Sequence, residues 1–138
     1  MTEPAAEPML FHANAFERTA EGPRLVGTRC RACGACFHPR VSICFECLGD
    51  DLEAVRLGPS GTLECFTTVH MPAERIVAPY TVGYVKLSEG LRVFAPIEAP
   101  AGSLAVGMAM RLADFRLGRG GTEALAYCFV AEPGWQPP

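Results

Sequence analysis

Four cysteines in two closely spaced pairs are the residues of this sequence whose types and spacing predict chemistry most clearly. Cys30 and Cys33 form the first pair, and ten residues later Cys44 and Cys47 form the second. A C-x-x-C turn places two thiolates about one edge of a tetrahedral Zn–S site apart, so two such turns supply four ligands. The pattern therefore predicts one structural zinc ion per chain, bound by these four thiolates.

Other assignments of the cysteines stay open at this point. Cys36 forms a second C-x-x-C frame with Cys33, which would leave Cys30 spare, and His38 is a reserve ligand. The Cys30 frame is favoured because Gly34 then follows the second ligand directly, where such a turn needs flexible backbone. A redox dithiol normally opens a helix in a βαβ unit, and seven cysteines in total fit a disulfide framework poorly.

No catalytic set is evident in the sequence. Four cysteine ligands close a zinc site, whereas catalytic zinc keeps one position open. Cys65 alternates with Leu63 and Val69 in a predicted strand, and Cys128 also lies in one, so both are expected to be core packing residues. Neither has a neighbouring base in sequence, and no nucleophile, base and oxyanion site assemble. We therefore expect no catalysis by this chain alone.

Composition narrows the class of protein further. The 138 residues suit one domain of ordinary size or two very small ones. The net charge is −3 and Lys86 is the only lysine, which argues against binding to nucleic acid. No apolar run approaches the roughly 18 residues that span a bilayer, so no membrane association is expected. The first residues lack a basic start and an apolar run, so the expected location is the cytoplasm.

The surrounding segments predict a mostly β fold that positions the cysteines beside a barrel. Residues 1–23 are predicted to be a tail with a short helix over 10–20, and 24–52 to be the zinc ribbon. Residues 53–131 are predicted to form a five-stranded OB-fold barrel, and 132–138 a C-terminal tail. The predicted barrel strands are 61–70, 80–87, 91–98, 108–115 and 123–131, with a hairpin turn at 88–90.

The last predicted strand is apolar on both faces, so neither face is expected to meet water. One face can line the barrel, and the other needs a cover, which is either the N-terminal module or a second protein. We predict a partner interface that includes Tyr127 and Phe129 of this strand and Trp135 of the tail.

Several motifs together carry a resemblance to a known family. They are Cys30-x-x-Cys33-Gly34, Phe37-His38-Pro39-Arg40, Cys44-x-x-Cys47, the stretch 79–87 and Glu89-Gly90-Leu91-Arg92. Over about residues 10 to 130 the chain resembles the acyl-CoA-associated family that joins a rubredoxin-like zinc ribbon to an OB-fold, domain of unknown function 35. One departure is 37–40, where the family often has two prolines before the arginine.

The resemblance implies a non-catalytic accessory subunit in a hetero-oligomer. Its partner would be a thiolase or thiolase-like aldolase that acts on CoA thioesters and carries the catalytic residues. Arg40, with Arg31 nearby, is predicted to meet a CoA phosphate or a partner carboxylate. Two alternatives stay open: an accessory subunit of another acyl-CoA enzyme such as an enoyl-CoA hydratase, and an OB module that binds single-stranded nucleic acid.

Overall fold

The computed structural model describes residues 9–10, 15–72, 77–100, 102–117 and 124–134. The described residues form ten β-strands and no helix. Consequently they include no helix long and apolar enough to cross a membrane. In chain order the strands are β1 Met9–Leu10, β2 Phe16–Thr19, β3 Gly22–Cys30, β4 Cys36–Phe37, β5 Leu52–Leu57, β6 Ser60–Val69, β7 Tyr80–Leu87, β8 Arg92–Glu98, β9 Ala109–Leu117 and β10 Ala124–Ala131.

The first part of the chain is a small antiparallel sheet built around β3. Strand β2 pairs with the beginning of β3, β4 pairs with its end, and β5 runs along it from Leu25 to Cys30. The long central strand therefore ends at the first cysteine of the predicted metal site. We call this sheet, with the turns that carry the cysteines, the ribbon.

The predicted N-terminal helix over 10–20 is wrong where the structure describes it. Phe16–Thr19 is a strand that forms a tight hairpin with β3, and Phe16 is opposite Leu25. Phe16 is fully buried, because the hairpin turns its ring into the core. Tertiary packing thus overrides a weak local helical pattern. Residues 11–14 of the predicted helix, which include Phe11, lie outside the described residues.

The second part of the chain is a closed barrel of five strands in the order β6-β7-β8-β10-β9, with β9 returning to β6. All neighbours are antiparallel except β8 and β10, which run parallel. This is the five-stranded OB barrel predicted from the sequence. The predicted strand bounds lie within two residues of the observed ones. Gly90 has a φ of 93° in the predicted hairpin turn.

The ribbon and the barrel share one hydrophobic core. Phe16, Leu25 and Leu57 of the ribbon belong to the same buried cluster as the inward side chains of the barrel. The largest fully buried side chains are Phe16, Phe129, Leu25, Leu57, Leu63, Met108, Met110 and Val85, together with three cysteines. The ribbon therefore packs against one side of the barrel and does not form a separate core.

A β-bulge in β6 corrects the predicted position of Cys65. The register with β7 shifts between Leu63 and Cys65, so the two residues no longer share a face. Leu63 is fully buried, whereas Cys65 is exposed. The expectation that Cys65 is a core thiol is wrong because simple alternation ignores the extra residue.

Candidate metal centre

The two cysteine turns converge on one four-thiol cluster. The Sγ atoms of Cys30, Cys33, Cys44 and Cys47 all lie within 4.8 Å of one another. Cys30 Sγ is 3.6 Å from Cys47 Sγ, and Cys33 Sγ is 3.5 Å from Cys44 Sγ. A tetrahedral ion with Zn–S bonds of about 2.3 Å has sulfur–sulfur edges of roughly 3.8 Å. The thiols therefore already have the spacing that a tetrahedral metal requires.

The first turn gains its shape from backbone hydrogen bonds. The Gly34 N–H donates to the carbonyl of Cys30 at 2.8 Å, and the Cys30 N–H donates to the carbonyl of Ala35 at 2.8 Å. Gly34 has a φ of 80°, a left-handed conformation that glycine adopts without a steric penalty. The residue after the second ligand is therefore a glycine for a conformational reason, as the sequence predicted.

The second turn repeats this hydrogen-bond pattern with different residues. The Leu48 N–H donates to the carbonyl of Cys44, and the Cys44 N–H donates to the carbonyl of Gly49, both at 2.9 Å. Leu48 is the counterpart of Gly34 and has a φ of 63°, which a residue with a Cβ rarely adopts. Two equivalent turns thus present their thiols to a common centre.

The four thiols differ in burial, and the pKa of one of them is lowered. Cys30 and Cys44 are buried, whereas Cys33 and Cys47 are exposed at the edge of the cluster. The Cys47 N–H approaches Cys44 Sγ at 3.5 Å. This backbone donor, the largest contribution, helps to lower the pKa of Cys44 to about 7. A backbone N–H that favours the thiolate is consistent with a metal-binding role because the thiolate is the ligand form.

The two reserve ligands lie outside the four-thiol cluster. Cys36 is on β4, and its Sγ lies 3.9 Å from the carbonyl oxygen of Gly34. His38 Nε2 is 2.9 Å from the carbonyl oxygen of Ala15. The His38 ring also packs against Tyr127, with ring centroids 5.9 Å apart. His38 therefore connects the ribbon to the barrel.

The two arginines predicted to meet CoA or a partner have different surroundings. Arg31 lies 3.5 Å from Asp51 and 3.6 Å from Glu53. Its charge is thus compensated within the ribbon, which argues against phosphate binding. Arg40 is exposed and makes no ion pair with any residue that the structure describes.

The structure corrects the predicted partner interface on β10. Phe129 is fully buried in the barrel core, so it is not available to another protein. Tyr127 is partly buried against Phe16, with ring centroids 5.5 Å apart. The ribbon therefore covers Tyr127, which lies on the same face of the strand as Phe129. Trp135 lies outside the described residues.

A further contact between the ribbon and the barrel is an ion pair that the sequence did not predict. Arg18 of β2 donates to Asp114 of β9 at 3.0 Å. The two residues are 96 positions apart, so no local pattern indicates the pair. The contact joins β2 of the ribbon to β9 of the barrel.

Cys65 and Cys128, two of the three thiols outside the cluster, have no hydrogen-bonded base among the described residues. Cys128 is buried, and burial raises the pKa of its thiol to about 12, so it is protonated at neutral pH. Cys65 is exposed and forms no hydrogen bond within the described parts of the chain. Activated nucleophiles need a base or a lowered pKa. The pKa of Cys128 is raised, and Cys65 hydrogen-bonds to no base within the described residues.

The fold and the four-thiol cluster define a class of protein in which a small cysteine ribbon is joined to an OB-fold barrel. Two family models match these parts: the rubredoxin-like zinc ribbon domain of ChsH2 over residues 20–53, and its C-terminal OB-fold domain over residues 54–116. The chain belongs to this ChsH2-type family, which includes proteins described as DUF35. The family resemblance found in the sequence is therefore confirmed.

The relatives include a subunit named for a CoA thiolase and a protein named as a scaffold. The chain is 38% identical over 95 residues to the benzoylsuccinyl-CoA thiolase subunit BbsA of Thauera aromatica, covering 67% of this chain and 66% of that protein. It is 34% identical over 76 residues to a DUF35 domain-containing scaffold protein of Methanothermobacter thermautotrophicus, covering 53% and 57%. The matches thus span about two thirds or less of these relatives' length.

A solved structure supports the same architecture. An Ltp2-ChsH2(DUF35) aldolase superimposes with a TM-score of 0.64 and 26% identity, over 78% of this chain and 84% of that chain. The similarity covers both the ribbon and the barrel because neither part alone reaches that share.

Proposed function

We propose that this chain is a zinc-binding, non-catalytic accessory subunit of a thiolase-like enzyme complex that acts on CoA thioesters in the cytoplasm. The observation that carries the proposal is the 38% identity to a subunit of benzoylsuccinyl-CoA thiolase. The Ltp2-ChsH2(DUF35) aldolase structure supports the same partner class. In this proposal the partner supplies the catalytic residues and the ribbon–barrel chain stabilises it.

The metal in this proposal is zinc, held by Cys30, Cys33, Cys44 and Cys47. Four thiolates in tetrahedral spacing suit zinc, although iron accepts the same ligands. The ion would hold the two turns together and fix the end of β3. It would have no open coordination position, so its contribution is to folding and not to the reaction.

We assign the predicted contact with CoA to Arg40 and not to Arg31. Arg40 is exposed and lacks a carboxylate partner among the described residues, whereas Arg31 has two. A guanidinium of this kind binds phosphate or carboxylate groups by paired hydrogen bonds. Arg40→Ala is expected to raise the KM of the complex for its CoA thioester and leave assembly intact. An unchanged KM would remove Arg40 from the site.

Assembly is tested by co-expression with a thiolase-like protein of the same organism. The proposal predicts that an affinity tag on one protein retains both and that they elute together at a defined mass in size-exclusion chromatography. Elution of this chain apart from every thiolase-like protein tried would contradict the proposal.

A second candidate is an accessory role in a hydratase complex. The chain is 33% identical over 88 residues to a protein named as a probable enoyl-CoA hydratase alpha subunit in Thermomonospora curvata, although it covers only 28% of that protein. The same co-expression with a hydratase subunit distinguishes the two partners. Retention of the hydratase subunit and not of the thiolase-like protein would favour this second role.

A further inference from the structure

Two aromatic side chains lie side by side on the outer face of the barrel. Tyr84 of β7 is directly opposite Phe94 of β8, and their ring centroids are 5.2 Å apart at an interplanar angle of 58°. The side chains remain exposed, Tyr84 to 44% and Phe94 to 55%. Buried aromatic rings stabilise a core, whereas this pair presents its ring surface to solvent on strands other than β9 and β10, which the ribbon residues Phe16, Arg18 and His38 contact.

Two cations lie beside the aromatic pair on the same face. Lys86 is directly opposite Arg92, and each is two residues from an aromatic residue on its own strand. Residues two apart in a strand point to the same face and lie about 7 Å apart. Arg92 is bound by the Glu64 carboxylate, whereas Lys86 is exposed and forms no ion pair within the described chain.

A polar depression adjoins the lysine. Its volume is about 380 Å³, and three of its lining residues carry hydroxyl groups. The full lining is Ser60, Gly61, Thr62, Lys86, Leu87 and Ser88. One ammonium group and several hydroxyl groups around a depression are suited to an anion that accepts hydrogen bonds. The Glu89 carboxylate beside the depression accepts hydrogen bonds from Ser88 Oγ at 3.3 Å and from the Gly58 N–H at 2.6 Å.

We propose that this surface binds a purine mononucleotide, with the base on Tyr84 and Phe94 and the phosphates at Lys86. Base–aromatic stacking and cation–phosphate contacts are the two interactions that such a ligand requires. The second and third barrel strands, here β7 and β8, are also where OB-folds present their ligand-binding face. We call this surface, formed by Tyr84, Phe94, Lys86 and the depression, the nucleotide platform.

The charges favour a single nucleotide over a nucleic acid strand. A strand needs a basic groove that follows several phosphates. The platform offers one uncompensated cation, Lys86, and the whole chain has a net charge of −3. CoA ends in an adenosine with a 3′-phosphate, so the inference deepens the proposed function by placing that end of the thioester on the platform. It rests on that function for the choice of adenosine, and Arg40 would then contact a group other than the adenosine 3′-phosphate.

The test is calorimetric titration of the full chain, without a partner, with adenosine 3′,5′-bisphosphate. Phe94→Leu is expected to weaken binding about fivefold or more, because stacking contributes on the order of 1–3 kcal/mol per base. Lys86→Gln is expected to weaken it about tenfold, the size of one charge-assisted hydrogen bond. Phe45→Leu and Arg56→Gln are matched controls at exposed sites in the ribbon and should bind as the wild type does.

A second measurement uses the wild-type chain alone. Cys65 is exposed and directly opposite Tyr84, so bound nucleotide should slow its alkylation. Cys36, which lies in the ribbon, should react at the same rate with and without nucleotide. Peptide mass spectrometry separates the two thiols.

Three outcomes would overturn the inference. They are no binding at millimolar nucleotide, equal binding of inorganic phosphate, and tighter binding of a short oligodeoxyadenylate, which would indicate a nucleic-acid site. Because no partner protein is present, these outcomes are independent of assembly. Failure of the platform and failure of the accessory role can therefore be distinguished.

Discussion

Cys44 and Cys36 each belong to a C-x-x-C pair in the sequence, but their surroundings in the structure differ. Replacing each of them in turn is therefore a direct test of the metal site. Cys44 is buried within the four-thiol cluster, whereas Cys36 lies on β4 outside it. Cys44→Ser should lose the metal and unfold the ribbon, because structural zinc contributes on the order of 10–16 kcal/mol in small ribbon peptides. Cys36→Ser should keep about one zinc per chain. Elemental analysis of both variants measures their zinc content. Loss of zinc in Cys36→Ser would show that the Cys33–Cys36 pair binds the metal in place of the Cys30–Cys33 pair.

Cys128 predicts how stability depends on alkaline pH. Burial raises its pKa from 9.0 to about 12, so between these values the unfolded chain releases a proton that the folded chain retains. The free energy of unfolding should therefore fall with rising pH in this window, by up to about 1.4 kcal/mol per pH unit from this thiol. Below pH 9 the thiol is protonated in both states and contributes nothing.

The measurement is chemical denaturation at several pH values between 8 and 11 for the wild type and Cys128→Ala. The slope with pH should be shallower in the variant. Tyr127, whose pKa burial also raises, remains in both proteins, so its contribution to the two slopes cancels. Identical slopes would contradict the assignment to Cys128.

Single residues also show where sequence reasoning stops. The four cluster cysteines follow from their spacing, because two C-x-x-C turns leave few alternatives. Cys65 could not be placed, because a bulge of one residue reverses the face of every residue beyond it. Phe129 was expected at an interface because both faces of β10 are apolar, but only the register of the closed barrel shows which face is the core.

At the scale of elements, Phe16 links the ribbon to the barrel. Its side chain is fully buried and contacts Tyr127 of β10. Phe16→Ala should therefore destabilise the protein by about 3–5 kcal/mol. Phe45→Ala removes the same phenyl ring at a position that is 68% exposed. It should lower the free energy of unfolding by less than about 0.5 kcal/mol. Urea denaturation of the two variants gives the comparison, and similar losses would show that the ring of Phe16 does not join the two parts.

The barrel strands were predictable because alternation and turn residues mark them locally, as Gly90 does between β7 and β8. The strand at Phe16–Thr19 was not, because its pattern is short and its partner decides its conformation. The packing of the ribbon on the barrel depends on pairs such as Arg18 and Asp114, which lie 96 residues apart. Periodicity carries no information about such pairs.

At the scale of the whole molecule, the ribbon and the barrel form one packed unit with two exposed apolar surfaces. The ribbon covers Tyr127, and the core continues from one part into the other. The outer face of β7 and β8 presents Tyr84 and Phe94, and the second cysteine turn presents Phe45 and Leu48. A frame of this kind, with no described catalytic set, suits a protein that works through a partner.

The measurement that tests this central claim most directly is turnover of a CoA thioester by three samples at equal concentration. They are the zinc-loaded chain alone, a thiolase-like partner alone, and the complex of the two. We predict no turnover by the chain alone, and higher or more durable activity in the complex than in the partner alone. Turnover by the chain alone that disappears in Cys65→Ser or Cys128→Ser would contradict the accessory role and identify the chain as an enzyme.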